Sequence, residues 1–401
     1  MQLDLGKLQR KREGMTWGKI TEETFAAAAE LIGKPLRRSR MQWIETVSRD
    51  AIRHFAWGVG DNNPLWFDED HAAAAPAGTL LAPPCILYAV DSTIVAPKLP
   101  GVQWIYAGTE WTWYDHIRIG DSFRVDAQLS GQEIKSGRRF ARWALQTGEI
   151  DYTNQSGQLV ATAIGRCART PRAATERGSA PPPDPVPHRY APEELAEIER
   201  QVLAERSRGA EPLYWEDIEI GDTVPPVVKG PLTTTDIMAW YSAVQGAQHY
   251  GGAHGNRLRY RQRHDDYHIN SATGAKDDAG RGHLEAATGR EVGMGGAYDI
   301  GPQRIAWAQH MLSNWIGDHG FLHQLNVSVR RPNMVGDTLW WRGTVTAKSQ
   351  DQGVNFIDLD VEARNQSDVL SAFGTAVAAL PGQQSGAVPL PLARVGQGSN
   401  P

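Results

Sequence analysis

The pattern of apolar and polar positions repeats itself along this chain. Ser48 and Asp50 open a segment that puts Ile52, Phe55 and Ala56 on one helical face, and Thr234 and Asp236 open another carrying Met238, Tyr241 and Ser242. Ser, Thr or Asp ahead of such a run marks a helix start, because its side chain accepts from the first free backbone N–H groups. Downstream of each, a Gly-Asp turn leads into alternating strand residues: Gly120-Asp121 precedes Phe123, Val125 and Ala127, and Gly336-Asp337 precedes Leu339, Trp341 and Gly343. Polar turns at Asn154–Gly157 and Asn365–Asp368 then precede further alternating stretches, the pattern of a hairpin.

Three elements in the same order, each present twice, imply a duplicated domain. The offsets are 186 for the helix starts, 216 for the Gly-Asp turns and 211 for the hairpins. The second copy therefore holds 30 extra residues between its first helix and its Gly-Asp turn, within about 247–295, a Gly-, His-, Asp- and Arg-rich stretch expected to be a long loop over the shared scaffold. The domains expected are residues 1–170, a Pro-rich linker and helix over 171–212, a second domain over 213–382, and a loose tail over 383–401. Each copy also has a buried-helix candidate, from Pro84 in the first and from Pro302 in the second, that a following antiparallel sheet could wrap.

Composition narrows the class. The chain has 401 residues, 41% apolar and 22% charged, the balance of a globular protein with two cores. A net charge of −5 advertises neither a nucleic-acid nor an anionic-membrane surface, and no apolar window reaches the length of a membrane span. Two cysteines, Cys85 and Cys167, offer no metal-binding spacing, and a cytoplasmic location is expected. Fourteen Trp point to large cores, with some available to line an apolar channel.

Against that organisation, Gly60-Asp61-Asn62-Asn63-Pro64-Leu65-Trp66 followed by Pro83-Pro84 resembles the N-terminal, FAS1-like dehydratase domain of two-domain MaoC-like hydratases and dehydratases. Tyr214 to Asp222, Gly230-Pro231 and the Gly336-Asp337 turn resemble their second domain, so the likeness runs from about 40 to 380. The resemblance implies an α+β class of tandem hotdog folds, antiparallel sheets each wrapped around a long central helix. It also implies a hydro-lyase on an acyl-CoA thioester, with an Asp and a His five residues apart sharing one water. The carboxylate takes the water proton, the imidazole handles the proton at the α-carbon, and N–H groups at the buried helix hold the thioester oxygen.

The catalytic pattern is broken in both copies. Asp61 stands at the motif Asp, but Trp66 occupies the His position, and in the second copy Ala247 aligns with Asp61. Five of the twelve His lie within 248–283, so the expected acid/base groups are His268 and Asp266, with His249. Expected substrate contacts are Asp61, Asn63, Gly295, Gly296 and Arg281; Asp61 and Asn63 also read as an Asx turn. His264 and His268 share metal-ligand spacing, but Gly and Asn punctuate the region, and no metal is expected. No cofactor beyond the CoA of the substrate is expected, and a bulky acyl group suits the rich apolar content. Another hotdog activity, a thioesterase or lyase, and a silent thioester-binding partner subunit are the alternatives. A homodimer or a heteromer with another hotdog subunit is compatible with the exposed sheet edges of such folds.

Overall fold

The computed structural model describes residues 18–38, 42–137, 140–171, 187–244, 253–263, 267–269, 273–291 and 294–394. Helices run in the order α1 (Glu22–Ala29), α2 (Arg49–Val59), α3 (Pro64–Phe67), α4 (Glu69–Ala74), α5 (Pro192–Leu203), α6 (Thr234–Val244), α7 (His254–Arg263), α8 (Ala286–Glu291) and α9 (Gly301–Ile316). The first copy supplies strands β1 (Gln103–Trp113), β2 (Phe123–Lys135), β3 (Trp143–Asn154) and β4 (Leu159–Thr170). The second supplies β5 (Thr223–Lys229), β6 (Tyr267–Ile269), β7 (Lys276–Asp278), β8 (Phe321–Val329), β9 (Leu339–Asp351), β10 (Val354–Asn365) and β11 (Leu370–Leu380). One nine-stranded antiparallel sheet has the order β2-β3-β4-β1-β8-β11-β10-β9-β5, and β6 pairs with β7 apart from it.

The duplication is written in matching hydrogen bonds. Asp121 accepts from the Arg118 N–H (2.8 Å) and from Gln155 Nε2 (3.0 Å), and Asp337 accepts from the Met334 N–H (2.8 Å) and from Gln366 Nε2 (2.6 Å). Gly120 and Gly336, with φ of 91° and 99°, let these turns close in a region that disfavours a side chain. Asn154 Oδ1 accepts from the N–H groups of Ser156 and Gln158 at 3.0 Å, and Asn365 Oδ1 does the same for Ser367 (3.1 Å) and Val369 (3.0 Å). These are tandem hotdog folds of the α+β class, with cores filled from the inward face of each sheet. The helix starts hold too: Ser48 caps α2 by accepting from the Ala51 N–H (3.1 Å), and Thr233 Oγ1 accepts from the Asp236 N–H (3.2 Å) at α6.

The copies differ in what the sheet wraps. The second encloses α9, a 16-residue helix buried along almost its whole length, whereas the first has only a six-residue 3-10 turn, Pro84–Ala89. Pro83 and Pro84 lack N–H donors and restrict the residue before them, which leaves a short, tight turn in place of a long helix. The second copy's insertion is not a plain loop: it contains α7, the β6–β7 hairpin and α8. Residues 383–394, expected as a loose tail, run back over the first copy, where the Leu392 N–H bonds Tyr114 O (2.7 Å) and Arg394 pairs with Glu149 (2.9 Å).

Two extended contacts join the copies. Helices α2 and α6 pack so closely that a Cβ on Gly58 would lie 2.7 Å from that of Ala243. Strands β1 and β8 pair from Gly108–Ser328 to Thr112–Gln324, making the two half-sheets continuous. Arg166 clips this seam by donating to Asn326 Oδ1 (2.8 Å) and Val327 O (2.9 Å). At Gly108, φ is 138° and a Cβ would fall 2.2 Å from Val327 O. A Gly108→Val variant is therefore expected to lose about 1–3 kcal/mol or more, read as a lower urea midpoint. An unchanged midpoint would contradict the close approach at the seam.

Candidate active site

The motif loop is shaped by its own side chains. Gly60 ends α2 in the left-handed region (φ 72°), and the Asp61 N–H still reaches Ala56 O (2.9 Å). Asp61 Oδ1 accepts from the Asn63 N–H (3.0 Å), and Asn63 Oδ1 accepts from the Leu65 N–H (3.0 Å), capping α3 ahead of Pro64. The Asx-turn reading of these residues is what the backbone adopts. Both side chains are buried, yet Asp61 Oδ2 has no partner among the described residues. A buried carboxylate oxygen left unbonded is costly, so it marks a place where a ligand or water belongs.

Opposite this loop stands α9. Its buried polar residues need partners inside the protein, and His310 finds several. Its Nε2 lies 3.6 Å from Asp61 Oδ1 and 2.6 Å from Glu205 Oε1, while Lys229 Nζ lies 2.9 Å from Nδ1. Lys229 also donates to Gly60 O (3.1 Å), tying the end of β5 to the motif loop. An ammonium donating to Nδ1 leaves that nitrogen as acceptor and assigns the ring proton to Nε2, facing the two carboxylates. Asn314, one turn on, donates to Glu205 Oε1 (3.0 Å). Burial pushes the Glu205 carboxyl up, but the hydrogen bond and charge of His310 and the Lys229 charge outweigh it and hold it below its ordinary range. Burial also lowers the Lys229 ammonium, opposed by Glu205, Asp61 and Asp236.

The Asp–His pairing that the motif lost at Trp66 is thus remade in space, with the imidazole supplied by the other copy's central helix. Nothing in sequence spacing links Asp61 to His310. The available signal was the run of Gln303, Arg304, Gln309, His310, Ser313 and Asn314 in a helix expected to be buried on most faces, since such groups do not go unpaired.

A cleft lined from both copies includes Asn63 of the motif loop and Ser313 of α9. Asn63, Leu65 and Trp66 form one wall, Trp113, Asp115 and His116 a second, and Ser313, Ile316, Asp318 and Phe321 a third. Asp318 follows the end of α9, and its Oδ2 meets His71 Nε2 at 2.7 Å, with His71 carried by α4. Burial raises the Asp318 carboxyl, with His71 opposing the shift. His116 is held neutral: burial, then the nearby Arg118 charge, lower it to about 4.

The remaining sequence-derived candidates are placed as follows. His249 and Asp266 lie outside the described residues, and His268 contributes backbone to β6 while its side chain is outside them. Gly296 packs against α8, where a Cβ on Gly289 would meet Gly296 O at 2.0 Å, and Gly295 adjoins it ahead of α9. Arg281 forms an ion pair with Glu285. His283, also in the insertion, is half-buried against Tyr298, and its Nδ1 lies 3.0 Å from Tyr298 O and 3.1 Å from Asp299 O. His283 thus meets the residues that enter α9, at the opposite end of that helix from the cleft.

Comparison with known proteins agrees with this architecture. Residues 35–163 match the family description "FAS1-like, dehydratase domain region". A UPF0336 protein of Parafrankia sp. (strain EAN1pec) is 31% identical over 143 residues, covering 34% of this chain and 87% of that protein. A 3-hydroxybutyryl-CoA dehydratase of Methylorubrum extorquens is 31% identical over 98 residues, covering 24% of this chain and 61% of that protein. A solved MaoC-like dehydratase superposes with a TM-score of 0.56 at 16% identity, spanning 86% of this chain and 99% of that one, a likeness of fold.

Two half-buried imidazoles give a pH prediction. His116 and His283 both sit at about 4 in the folded chain against 6.5 ordinarily. Each folded value is depressed, so the stability it contributes is complete above pH 6.5 and is lost as pH falls toward 4. Each contributes up to about 3 kcal/mol. The urea midpoint should drop across that window, and His116→Phe should flatten the drop; a midpoint indifferent to pH there would contradict rings held neutral by desolvation.

Proposed function

This chain belongs to the MaoC-like hydratase/dehydratase family, and we propose that it is a hydro-lyase acting on an acyl-CoA thioester through Asp61 and His310. The reaction is addition of water to a 2-enoyl-CoA, or its removal from a 3-hydroxyacyl-CoA. The observation that carries the reading is a buried Asp61 with one oxygen unbonded and the other 3.6 Å from an imidazole nitrogen. In the hydration direction, Asp61 Oδ2 accepts a proton from water as its oxygen bonds C3. His310 Nε2–H gives its proton to C2 as the Lys229 ammonium passes one to Nδ1, so the ring stays neutral; the proton on Asp61 then returns to Nε2 and Nδ1 hands its own back to Lys229. One water is consumed and both groups return to their starting state. Lys229 keeps Nδ1 an acceptor, so the proton is on the nitrogen that faces the carboxylates. Glu205 holds that N–H in the resting chain and yields it when substrate enters. Relatives support the chemistry: the Methylorubrum protein is a 3-hydroxybutyryl-CoA dehydratase by name.

The cleft walls favour an apolar acyl group, since they include Leu65, Trp66, Trp113, Ile316 and Phe321. A second reading puts the acid/base groups in the insertion, at His268, Asp266 and His249. It is favoured by the contact of His283, a residue of the same insertion, with Tyr298 O and Asp299 O just ahead of α9.

Loss of the conjugated-thioester absorbance with a panel of 2-enoyl-CoAs tests both. Asp61→Asn and His310→Gln are each expected to lower kcat by about 10²–10⁴-fold, with the far-ultraviolet circular dichroism of the folded parent even where the thermal midpoint falls. His268→Ala and Asp266→Asn should leave it within a few-fold. The opposite pattern would move the chemistry to the insertion, and no turnover of any enoyl-CoA would overturn the hydro-lyase reading.

A further inference from the structure

Glu205 lies outside both repeated units. It follows α5 in the linker, yet its Oε1 is 2.6 Å from His310 Nε2, closer than Asp61 Oδ1 at 3.6 Å. Its neighbours Val202, Leu203, Ala204 and Arg206 are exposed, so the side chain had water within reach and is turned onto the ring instead. The position is fixed from several sides. Asn314 Nδ2 donates to the same Oε1 (3.0 Å). Upstream, Gln201 Oε1 accepts from Trp340 Nε1 (2.8 Å). Downstream, Arg208 Nε donates to Trp315 O (2.8 Å) and the Arg208 N–H to Asn314 O (2.9 Å).

These contacts assign the protons. Oε1 accepts from an amide, so the proton in the 2.6 Å contact belongs to Nε2. Nδ1 is then the acceptor of a neutral ring, and Lys229 Nζ, 2.9 Å away, is its donor. Ammonium, imidazole and carboxylate stand in a row, Lys229–His310–Glu205, and the proposed reaction starts from that arrangement. Asp61 does not duplicate Glu205, because it lies beyond hydrogen-bond distance of Nε2 and its Oδ1 already accepts from the Asn63 N–H. Three carboxylates act on the Lys229 charge: Glu205 in the linker, Asp61 in the motif loop and Asp236 on α6. Burial lowers the ammonium, and Glu205 opposes that more than either of the others.

We infer that Glu205 is a positioning residue of the hydro-lyase reaction, a linker-borne carboxylate that sets the proton arrangement of the Lys229–His310 pair. The inference rests on His310 being the acid of the proposed reaction. Substrate takes over Nε2–H, but the carboxylate is still held by Asn314, so its charge stays beside the ring. Without that charge Lys229 loses its proton at lower pH. Nδ1 then has no charged donor, and giving Nε2–H to C2 would leave an imidazolate.

The titration of Lys229 in the full chain without substrate tests this apart from turnover. It is followed by the Cε resonance of ¹³C-labelled lysine that disappears in Lys229→Arg. Glu205→Gln keeps the size and an acceptor oxygen but removes the charge, and its Lys229 is expected to titrate about one pH unit below the parent's. Glu205→Ala serves where the glutamine variant does not fold, with the same fall expected. Glu205→Asp retains the charge and should titrate close to the parent. On an enoyl-CoA that the parent hydrates, Glu205→Gln is expected to lower kcat about 10- to 100-fold with KM within about threefold. The alkaline limb of its kcat profile should move down by about the same pH unit, and Glu205→Asp should put the limb back. A Lys229 titration unmoved in the charge-removing variant, or a loss of kcat with the alkaline limb in the parent's place, would overturn the inference. A shifted titration in a protein inert to every enoyl-CoA would overturn the hydro-lyase reading and leave the hold of Glu205 on the pair standing.

Discussion

Burying an ionisable group demands a partner, and in this chain the demand converges on the central helix of the second copy. Helix α9 carries Arg304, Gln309, His310 and Asn314 into the interior, where water cannot serve them. Arg304 is met by Asp299 (2.6 Å), and His310 is met by Glu205, Lys229 and Asp61. Those partners come from the entry to the helix, the linker, the edge strand and the other copy's motif loop. Satisfying one helix therefore fixes how four separate segments sit. The same requirement holds Asp61 in place with Oδ2 unbonded among the described residues.

Duplication followed by unequal change explains the rest of the architecture. Both copies keep the turns that set the sheet: Asp121 with Gln155, and Asp337 with Gln366. These interactions are local and independent of any substrate. The interiors diverged. The first copy keeps the Asp–Asn–Pro loop but has only a prolyl 3-10 turn to enclose, and the second keeps the long helix but has an insertion where the loop would be. Each lacks a component the other retains, and the β1–β8 seam and the α2–α6 contact bring the retained components together.

The linker has a larger part than a connector. After α5, residues 205–209 lie along α9: Glu205 bonds His310, the Arg208 N–H donates to Asn314 O (2.9 Å), and Gly209 O accepts from the Asp318 N–H (3.0 Å). A segment that touches His310, Asn314 and Asp318 at once spans both the acid/base pair and the far end of the cleft. Its carboxylate is well suited to hold the imidazole proton while the site is empty.

What the sequence alone determined is what local rules determine. Turns with Gly at positive φ, Asn side chains that close hairpins, and Ser or Thr helix caps involve residues within a few positions of one another, so the duplication, the α+β class and the Asx turn at Asp61 and Asn63 were legible. The broken motif at Trp66 was legible as well. The replacement was not: His310 lies 249 positions from Asp61 and becomes its neighbour only when two half-sheets join along β1 and β8. Dense histidine in the insertion drew attention in sequence, while His310 and Asp318 stood unremarked at a helix that reads as core. Which buried polar group faces which cavity is settled by how the copies pack, because pairing of buried charges acts across space and leaves no spacing to read.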